Sequence, residues 1–126
     1  MTLIQERTSV TLENNTSKTI DLTVPEGKIW KLWAINVFNG DDVTRNITAY
    51  IFDSAGNRLH AIGGANVSAS NYVEILSYAP TSPAKNMIAY PILIKGGNKL
   101  RIVFYAGGTS SGGTGYYSLS YEEVPE

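Results

Sequence analysis

Hydrophobic and polar residues alternate along most of this chain, and clusters of turn-forming residues interrupt the alternation at short intervals. Ile20, Leu22 and Val24 alternate with polar neighbours, which is typical of a half-buried strand. The segment 29–38 is apolar on both faces, which predicts a central strand of a sheet. The same reasoning predicts further strands over residues 4–12, 46–52, 58–62, 72–78, 87–94, 100–105 and 116–123.

Turn residues punctuate these strands in ways that predict local geometry. The sequence Asp53-Ser54-Ala55-Gly56-Asn57 predicts a tight hairpin, because Asp opens such turns and Gly accepts a positive φ. Pro91 cannot donate to a strand ladder, so its strand is predicted at a sheet edge or with a bulge. Longer loops are predicted over 63–70, 79–86 and 106–115. The segments 24–38 and 94–105 share one order of features, which indicates either two equivalent corners or coincidence.

About eight or nine short strands without a substantial helix predict an all-β protein. The long polar connections favour an antiparallel β-sandwich of jelly-roll or Greek-key topology over a simple meander. The length of 126 residues fits a single domain, 1–126. Because the alternation in 1–12 is weak, we interpret this segment as an N-terminal arm or a strand exchanged with a neighbour.

Composition excludes several classes of function. The net charge of -1 provides no basic excess for direct binding to nucleic acid. The absence of cysteine excludes disulfides, a thiolate zinc site and a cysteine nucleophile. The N-terminal residues contain no apolar signal core, and no apolar run is long enough to span a membrane. We therefore expect a soluble protein that is not exported by a cleaved signal.

One segment matches a catalytic motif, the G-x-S-x-G nucleophile elbow, over residues 108–112. That motif requires a helix after the serine, whereas a strand is predicted here. The only histidine, His60, precedes the serine, which is the wrong order for a triad on this motif. We interpret the match as a product of a Gly- and Ser-rich loop, and His60 as a surface or edge-strand residue.

Acidic residues offer the remaining route to a metal site or to acid–base chemistry. Asp41 and Asp42 follow Asn39-Gly40, which is ordinary turn composition, and no EF-hand spacing is present. We interpret them as a solvated turn. The sequence therefore predicts no enzyme activity, no cofactor and no metal.

Aromatic residues suggest a binding surface, since the chain has two Trp, eight Tyr and three Phe. Trp30 and Trp33 have opposite parity in one strand, so one of them is expected outside the inner core, covered by a loop, a subunit or a ligand. Oligomer packing is favoured over sugar stacking, because aromatic residues are enriched in interface cores. The other candidates for an interface or a ligand surface are Tyr50, Tyr72, Tyr105, Tyr116 and Ile4.

Four segments, in their order along residues 23–126, resemble small virion proteins of tailed bacteriophages that are built as a single jelly roll. They are VPEGKIWKLWAINVF, ITAYIFDSAGNRL, YPILIKGGNKLRIVF and YYSLSYEEVPE. The resemblance implies a non-enzymatic decoration (cement) protein, which is made in the host cytoplasm and braces the capsid surface as a homotrimer. Its partners would be its own copies and the major capsid protein. A carbohydrate-binding or host-adhesion module, for example on a phage tail, is the alternative.

Overall fold

The computed structural model describes residues 3–77, 86–88 and 90–126, and these residues form strands and no helix. The all-β class predicted from the sequence is confirmed. Among the described residues no helix is long and apolar enough to cross a membrane. The described strands are β1 (Ile4–Leu12), β2 (Lys18–Thr23), β3 (Lys28–Asn39), β4 (Arg45–Phe52), β5 (Arg58–Val67), β6 (Asn71–Ser77), β7 (Asn86–Met87), β8 (Ile92–Lys95), β9 (Lys99–Phe104) and β10 (Gly113–Pro125).

The strands form two sheets that pack as a sandwich. Sheet A has the order β1-β10-β3-β6-β7, with β8 also paired to β3, and sheet B has the order β2-β9-β4-β5. The antiparallel pairs β1·β10, β2·β9, β3·β6 and β4·β5 fall alternately in sheets A and B, as in one long ribbon rolled on itself. This topology is a jelly roll, so the predicted sandwich is confirmed.

The core lies between the sheets and is built from alternate residues of each strand. Strands with one buried face alternate because successive side chains point to opposite faces of a sheet. Sheet A contributes its inward rows from β3 and β10, and sheet B contributes those from β4 and β9. The principal buried side chains are Trp30, Leu32, Ile35, Val37, Ile47, Ala49, Ile51, Leu100, Ile102, Phe104, Tyr117, Leu119 and Tyr121.

A β-bulge at Trp33 interrupts the alternation of β3. Ser120 of β10 pairs with Ala34, and the next residue, Tyr121, pairs with Leu32, which leaves Trp33 as the extra residue. For this reason Leu32 and Ile35, three positions apart, both face the core.

The two turn-and-strand segments with a shared order of features meet at one end of the sandwich. The Val24 amide donates to the Asn98 carbonyl (2.9 Å), and the Gly97 amide donates to the Val24 carbonyl (2.9 Å). A Cβ at Gly96 would lie 2.7 Å from the Pro25 carbonyl oxygen, so only glycine allows this approach. The contact favours two equivalent corners over coincidence.

Most local predictions hold, including the hairpin between β4 and β5. Its Asp53 carboxylate accepts the amides of Ala55 (3.0 Å) and Asn57 (2.8 Å), and Gly56 has φ 89°. The segment 87–94 was predicted as one strand, whereas the structure has β7 and β8, with Pro91 immediately before β8. Residues 79–85 of a predicted loop lie outside the described residues.

The loop predictions over 63–70 and 106–115 are wrong in part, because small, polar and glycine residues here continue strands. β5 continues to Val67, and β10 begins at Gly113. A Cβ at Gly64 would lie 2.4 Å from Thr48 Oγ1, and one at Gly113 would lie 2.2 Å from the Gly40 carbonyl oxygen. These glycines therefore permit close packing within and beside the strands rather than a turn.

Candidate binding surfaces

Two sequence features bear on catalysis, His60 and the segment 108–112, and they lie in different parts of the fold. Among the described residues, no three His, Cys, Asp or Glu side chains are grouped to hold a metal ion. His60 is exposed on β5, at the edge of sheet B. The segment that matches the nucleophile elbow leads directly into β10, which confirms the predicted strand after its serine. The motif serine, Ser110, accepts the Gly112 amide at its Oγ (3.3 Å), and the neighbouring Ser111 donates to Asp42 Oδ2 (3.0 Å).

A buried ion pair closes one end of the sandwich, and the sequence analysis missed it. Asp41 and Arg45 are both buried, with Arg45 Nη2 2.8 Å from Asp41 Oδ2. Arg45 Nη1 also donates to the carbonyls of Thr16 (2.8 Å) and Tyr105 (3.3 Å), and Nη2 donates to the Glu13 carbonyl. The predicted solvated turn is therefore wrong at Asp41. We call these groups, with Asn39, the Arg45 cluster.

The electrostatics of the Arg45 cluster follow from its hydrogen bonds. Burial by itself raises the pKa of Asp41, but hydrogen bonds from Arg45 and from the Asp42 amide outweigh burial, so the pKa lies below its ordinary value. Asn39 Nδ2 donates to the carbonyls of Val43 (2.8 Å) and Val67 (2.9 Å). A charge paired in this way holds loops together and has no group left to offer a ligand.

The two tryptophans lie on different sides of sheet A, as the parity argument predicted. Trp30 is 6% exposed, and its ring centroid lies 4.3 Å from that of Tyr121 in the core. Trp33 is half-buried, and its Nε1 donates to Glu122 Oε1 (2.9 Å). Since Glu122 alternates with the inward Tyr121, this contact places Trp33 on the outer face of sheet A. Of the two tryptophans, Trp33 is therefore the candidate for surface contact.

Tyr50 and Tyr105 lie together on the outer face of sheet B. Their hydroxyls are 2.8 Å apart, and this hydrogen bond raises the pKa of Tyr105 above its ordinary value. On the same face, Arg101 forms a bidentate pair with Asp21 (2.7 and 2.9 Å) and lies 4.1 Å from the Phe52 ring centroid. The polar and cationic groups on this face thus largely satisfy one another.

Tyr116 and Tyr72 lie at one end of the outer face of sheet A. In register, Tyr116 pairs with Phe38, and Phe38 pairs with Tyr72. The rings of Tyr116 and Phe38 stack with their centroids 5.1 Å apart. From β1, on the other side of β10, the Arg7 guanidinium lies 3.8 Å from the centroid of the Tyr116 ring. Both neighbours restrict access to the Tyr116 ring, whereas Tyr72 is 64% exposed. The last candidate, Ile4, is half-buried on β1 against the core.

Two surface features on sheet A bring together residues that the sequence analysis did not select. The first is a trough of about 260 Å³, lined by Gln5, Arg7, Asn36, Ser118 and Ser120, with Glu6 and Leu119 beneath. We call it the serine trough. Alternation of Ser118 and Ser120 with the buried Tyr117, Leu119 and Tyr121 is the sequence signal that could have revealed it.

The second feature is a set of exposed apolar side chains along the β6 and β8 side of sheet A. Tyr72, Tyr90 and Leu93 are 64%, 82% and 60% exposed. We call these three residues the apolar edge patch. Tyr72 was a sequence candidate, whereas Tyr90 and Leu93 flank Pro91 in a segment interpreted only as an edge strand.

Comparison with known proteins finds similarity among solved structures. No family model matches the chain, and no curated protein matches it significantly. Two solved structures of infectious bursal disease virus are similar. The Gx strain matches with 14% identity and a TM-score of 0.40, over 98% of this chain and 32% of that one. The Gt strain matches with 14% identity and a TM-score of 0.34, over 98% and 33%. The chain thus spans about a third of the chains it matches, and likeness at this level carries no functional argument.

Proposed function

We propose that this chain is a non-enzymatic structural protein of a virion. More specifically, it is a bacteriophage decoration protein that binds the capsid surface as a homotrimer and braces the shell. Two kinds of support converge. The ordered segments that resemble such virion proteins fall on the strands and corners of a jelly roll. In addition, one side of the sandwich exposes large apolar side chains suited to lasting protein contact.

The apolar edge patch is the observation that carries this proposal. Tyr72, Tyr90 and Leu93 account for three of the six exposed large hydrophobic residues among the described ones. Tyr72 and Leu93 belong to the two strands that pair with the same side of β3, opposite Phe38 and Lys31, so they are separated by roughly 20 Å along the sheet. Large apolar side chains that are exposed along one side of a domain favour an extended contact with protein. The patch is the contact between subunits, or between subunit and capsid.

The proposed role follows from mass action and symmetry. A protein that binds the assembled shell and not its free subunits stabilises the shell in proportion to its occupancy. Closed threefold symmetry matches the local threefold positions of an icosahedral shell. The free edge of β1 adds a second means of contact, because within the described residues β1 pairs only with β10.

The N-terminal arm is best tested without deleting it. Val10 and Leu12 are buried in the core, so removal of residues 1–12 would damage the fold as well as any contact. A Thr8→Pro variant changes an exposed position of this edge strand instead. If β1 contacts a neighbour, this variant should reduce the assembled fraction at temperatures where the chain itself is still folded. The unfolding temperature of the variant defines that range.

Native mass spectrometry and co-sedimentation test the proposal directly. The expected results are a mass of three chains and co-sedimentation with capsids of the virus whose genome carries the gene. Leu93→Ser should weaken both, whereas Leu59→Ser, which changes a leucine 55% exposed on β5, is the matched control and should weaken neither. A monomer that stays in the supernatant, or equal losses in both variants, would contradict the proposal.

A further inference from the structure

We infer that the serine trough binds an uncharged oligosaccharide, such as a segment of a polysaccharide chain. This inference rests only on the chemistry of the trough and stands apart from the proposed virion role. The trough and the apolar edge patch lie on opposite sides of β3 in sheet A, so the two functions use different residues.

The shape of the trough comes from small residues on a strand flanked by larger ones. Ser118 and Ser120 point outward from β10, which lies between β1 and β3. Arg7 pairs with Ser118 in register but leans over the Tyr116 ring, which leaves the space above the serine open. On β10 the lining runs only from Ser118 to Ser120, and the surface continues along the strand from Tyr116 to Glu122, a distance of roughly 20 Å over which further sugar units could lie.

An aromatic side chain follows the trough in each direction along the sheet, beyond the residues that line it. At one end the Tyr116 ring is held between Arg7 and Phe38. At the other end Trp33 lies beside Ala34, the register partner of Ser120. The bond from Trp33 Nε1 to Glu122 fixes the plane of the indole before any ligand arrives. A fixed ring that is half exposed can pack against the apolar face of a sugar.

The polar groups of the trough match hydroxyl groups better than charged groups. Serine hydroxyls and the amides of Gln5 and Asn36 can each donate and accept hydrogen bonds, as sugar hydroxyls do. The one cation of the lining, Arg7, is engaged with the Tyr116 ring, whereas the neighbouring Glu6 pairs with the buried Leu119 and points to the other face of the sheet. A single cation that already contacts a ring favours an uncharged ligand over a polyanion.

Asn36 carries a buried acceptor that the fold leaves unused. Its Oδ1 and the Oε2 of its register partner Glu74 are buried acceptors without a hydrogen-bond partner. Rotation of the Asn36 amide toward the trough therefore breaks no bond at this oxygen. A buried acceptor that gains a hydroxyl donor on binding contributes directly to affinity.

The sheet itself argues against a peptide in the trough. Peptides that bind β-sheets add a strand through backbone hydrogen bonds at a free edge. Here β10 is already paired on both sides, along β1 and along β3, so its backbone groups are used. An apolar protein surface would bury the serine hydroxyls and the Asn36 amide without partners. A ligand rich in hydroxyls meets neither obstacle.

Affinity electrophoresis of the intact chain tests this inference with defined probes. Dextran, galactomannan and xyloglucan serve as uncharged polysaccharides, and hyaluronan and polygalacturonate as acidic ones. We expect at least one uncharged polysaccharide to retard the protein. Ser118→Leu, which fills the floor, should weaken that retardation at least tenfold. Thr19→Leu, which places a leucine at an exposed position of β2 in sheet B, is the matched control and should change it less than twofold.

Further variants separate a binding defect from a folding defect. Gln5→Ala leaves the floor intact and removes one exposed amide from the wall, so we expect a loss of about threefold with an unchanged unfolding temperature. Three results would overturn the inference: no retardation by any uncharged probe, retardation by the acidic probes alone, or equal losses for Ser118→Leu and Thr19→Leu. Leu93→Ser should leave retardation unchanged, so failure of the virion proposal and failure of this inference are distinguishable.

Discussion

The Arg45 cluster and the outer face of sheet A are two groups of polar residues that differ in how far their polar atoms are hydrogen-bonded within the chain. In the Arg45 cluster, all three guanidinium nitrogens donate hydrogen bonds, and the Asn39 amide bonds at both its nitrogen and its oxygen. On the outer face of sheet A, Asn36 Oδ1 and Glu74 Oε2 have no partner, and the serines line an open trough.

The contrast indicates which polar residues stabilise the fold and which are available for binding. Buried polar groups that bond within the chain hold it in one arrangement, and removing one leaves its partners unpaired. Polar groups that lack partners contribute little to folding and gain most from a ligand. The outer face of sheet B resembles the Arg45 cluster in this respect, since its Asp21–Arg101 and Tyr50–Tyr105 pairs are internal.

The largest expected effect follows from breaking the Arg45 cluster. Arg45→Met leaves the Asp41 carboxylate buried without its counter-ion and should lower the free energy of unfolding by about 3–5 kcal/mol in urea denaturation. Arg58→Met, which removes an exposed arginine 5.7 Å from the Tyr50 ring, should cost less than about 1 kcal/mol. Equal losses in the two variants would show that the cluster is not structural.

A matched pair of asparagines on β3 sharpens the contrast within one strand. Asn39→Leu removes an amide that serves two buried carbonyls and should lower the free energy of unfolding by more than about 2 kcal/mol. Asn36→Leu removes an acceptor that has no partner. It should change the free energy of unfolding by less than about 1 kcal/mol, in either direction. Urea denaturation of both variants measures the difference in unfolding free energy. A larger loss for Asn36→Leu than for Asn39→Leu would contradict the view that Asn39 stabilises the fold and Asn36 does not.

Acid should weaken the Arg45 cluster in a predictable direction. The pKa of Asp41 is lower in the folded chain than its unfolded value of about 3.9, so its contribution to stability is present above that value. It is lost as the pH falls through the lower, folded pKa. The gap in unfolding free energy between the wild type and Asp41→Asn should therefore narrow below about pH 4. A gap that stays constant from pH 6 to pH 2 would contradict this.

The smallest expected effect concerns the ion pair on the outer face of sheet B. Asp21 has a lowered pKa, chiefly through its hydrogen bond with Arg101, but both side chains remain partly exposed. A double-mutant cycle with Asp21→Asn and Arg101→Gln should give a coupling of about 0.2–1 kcal/mol that decreases in 1 M salt. A coupling as large as that of Asp41 and Arg45 would remove the distinction between buried and surface pairs.

Alternation and turn chemistry were sufficient to predict the fold class and most strand positions. The hairpin at 53–57 and the opposite faces of Trp30 and Trp33 follow from local rules, since side-chain direction alternates with position. The predicted ends of β5 and β10 are wrong, because Gly64 and Gly113 lie within strands and allow close packing that local sequence rules do not predict. Asp41 was misassigned for the same reason, as its counter-ion and the carbonyls around Arg45 come from distant turns.

The sequence by itself determined an all-β sandwich and the positions of most of its turns, because these depend on near neighbours along the chain. The tertiary structure alone decided that Trp30 is a core residue and that Arg45 is buried. It also decided that Ser118, Ser120, Arg7 and Asn36 share one trough. Those facts depend on which strands become neighbours, and β1, β3 and β10 are brought together from opposite ends of the chain by the rolling of the ribbon.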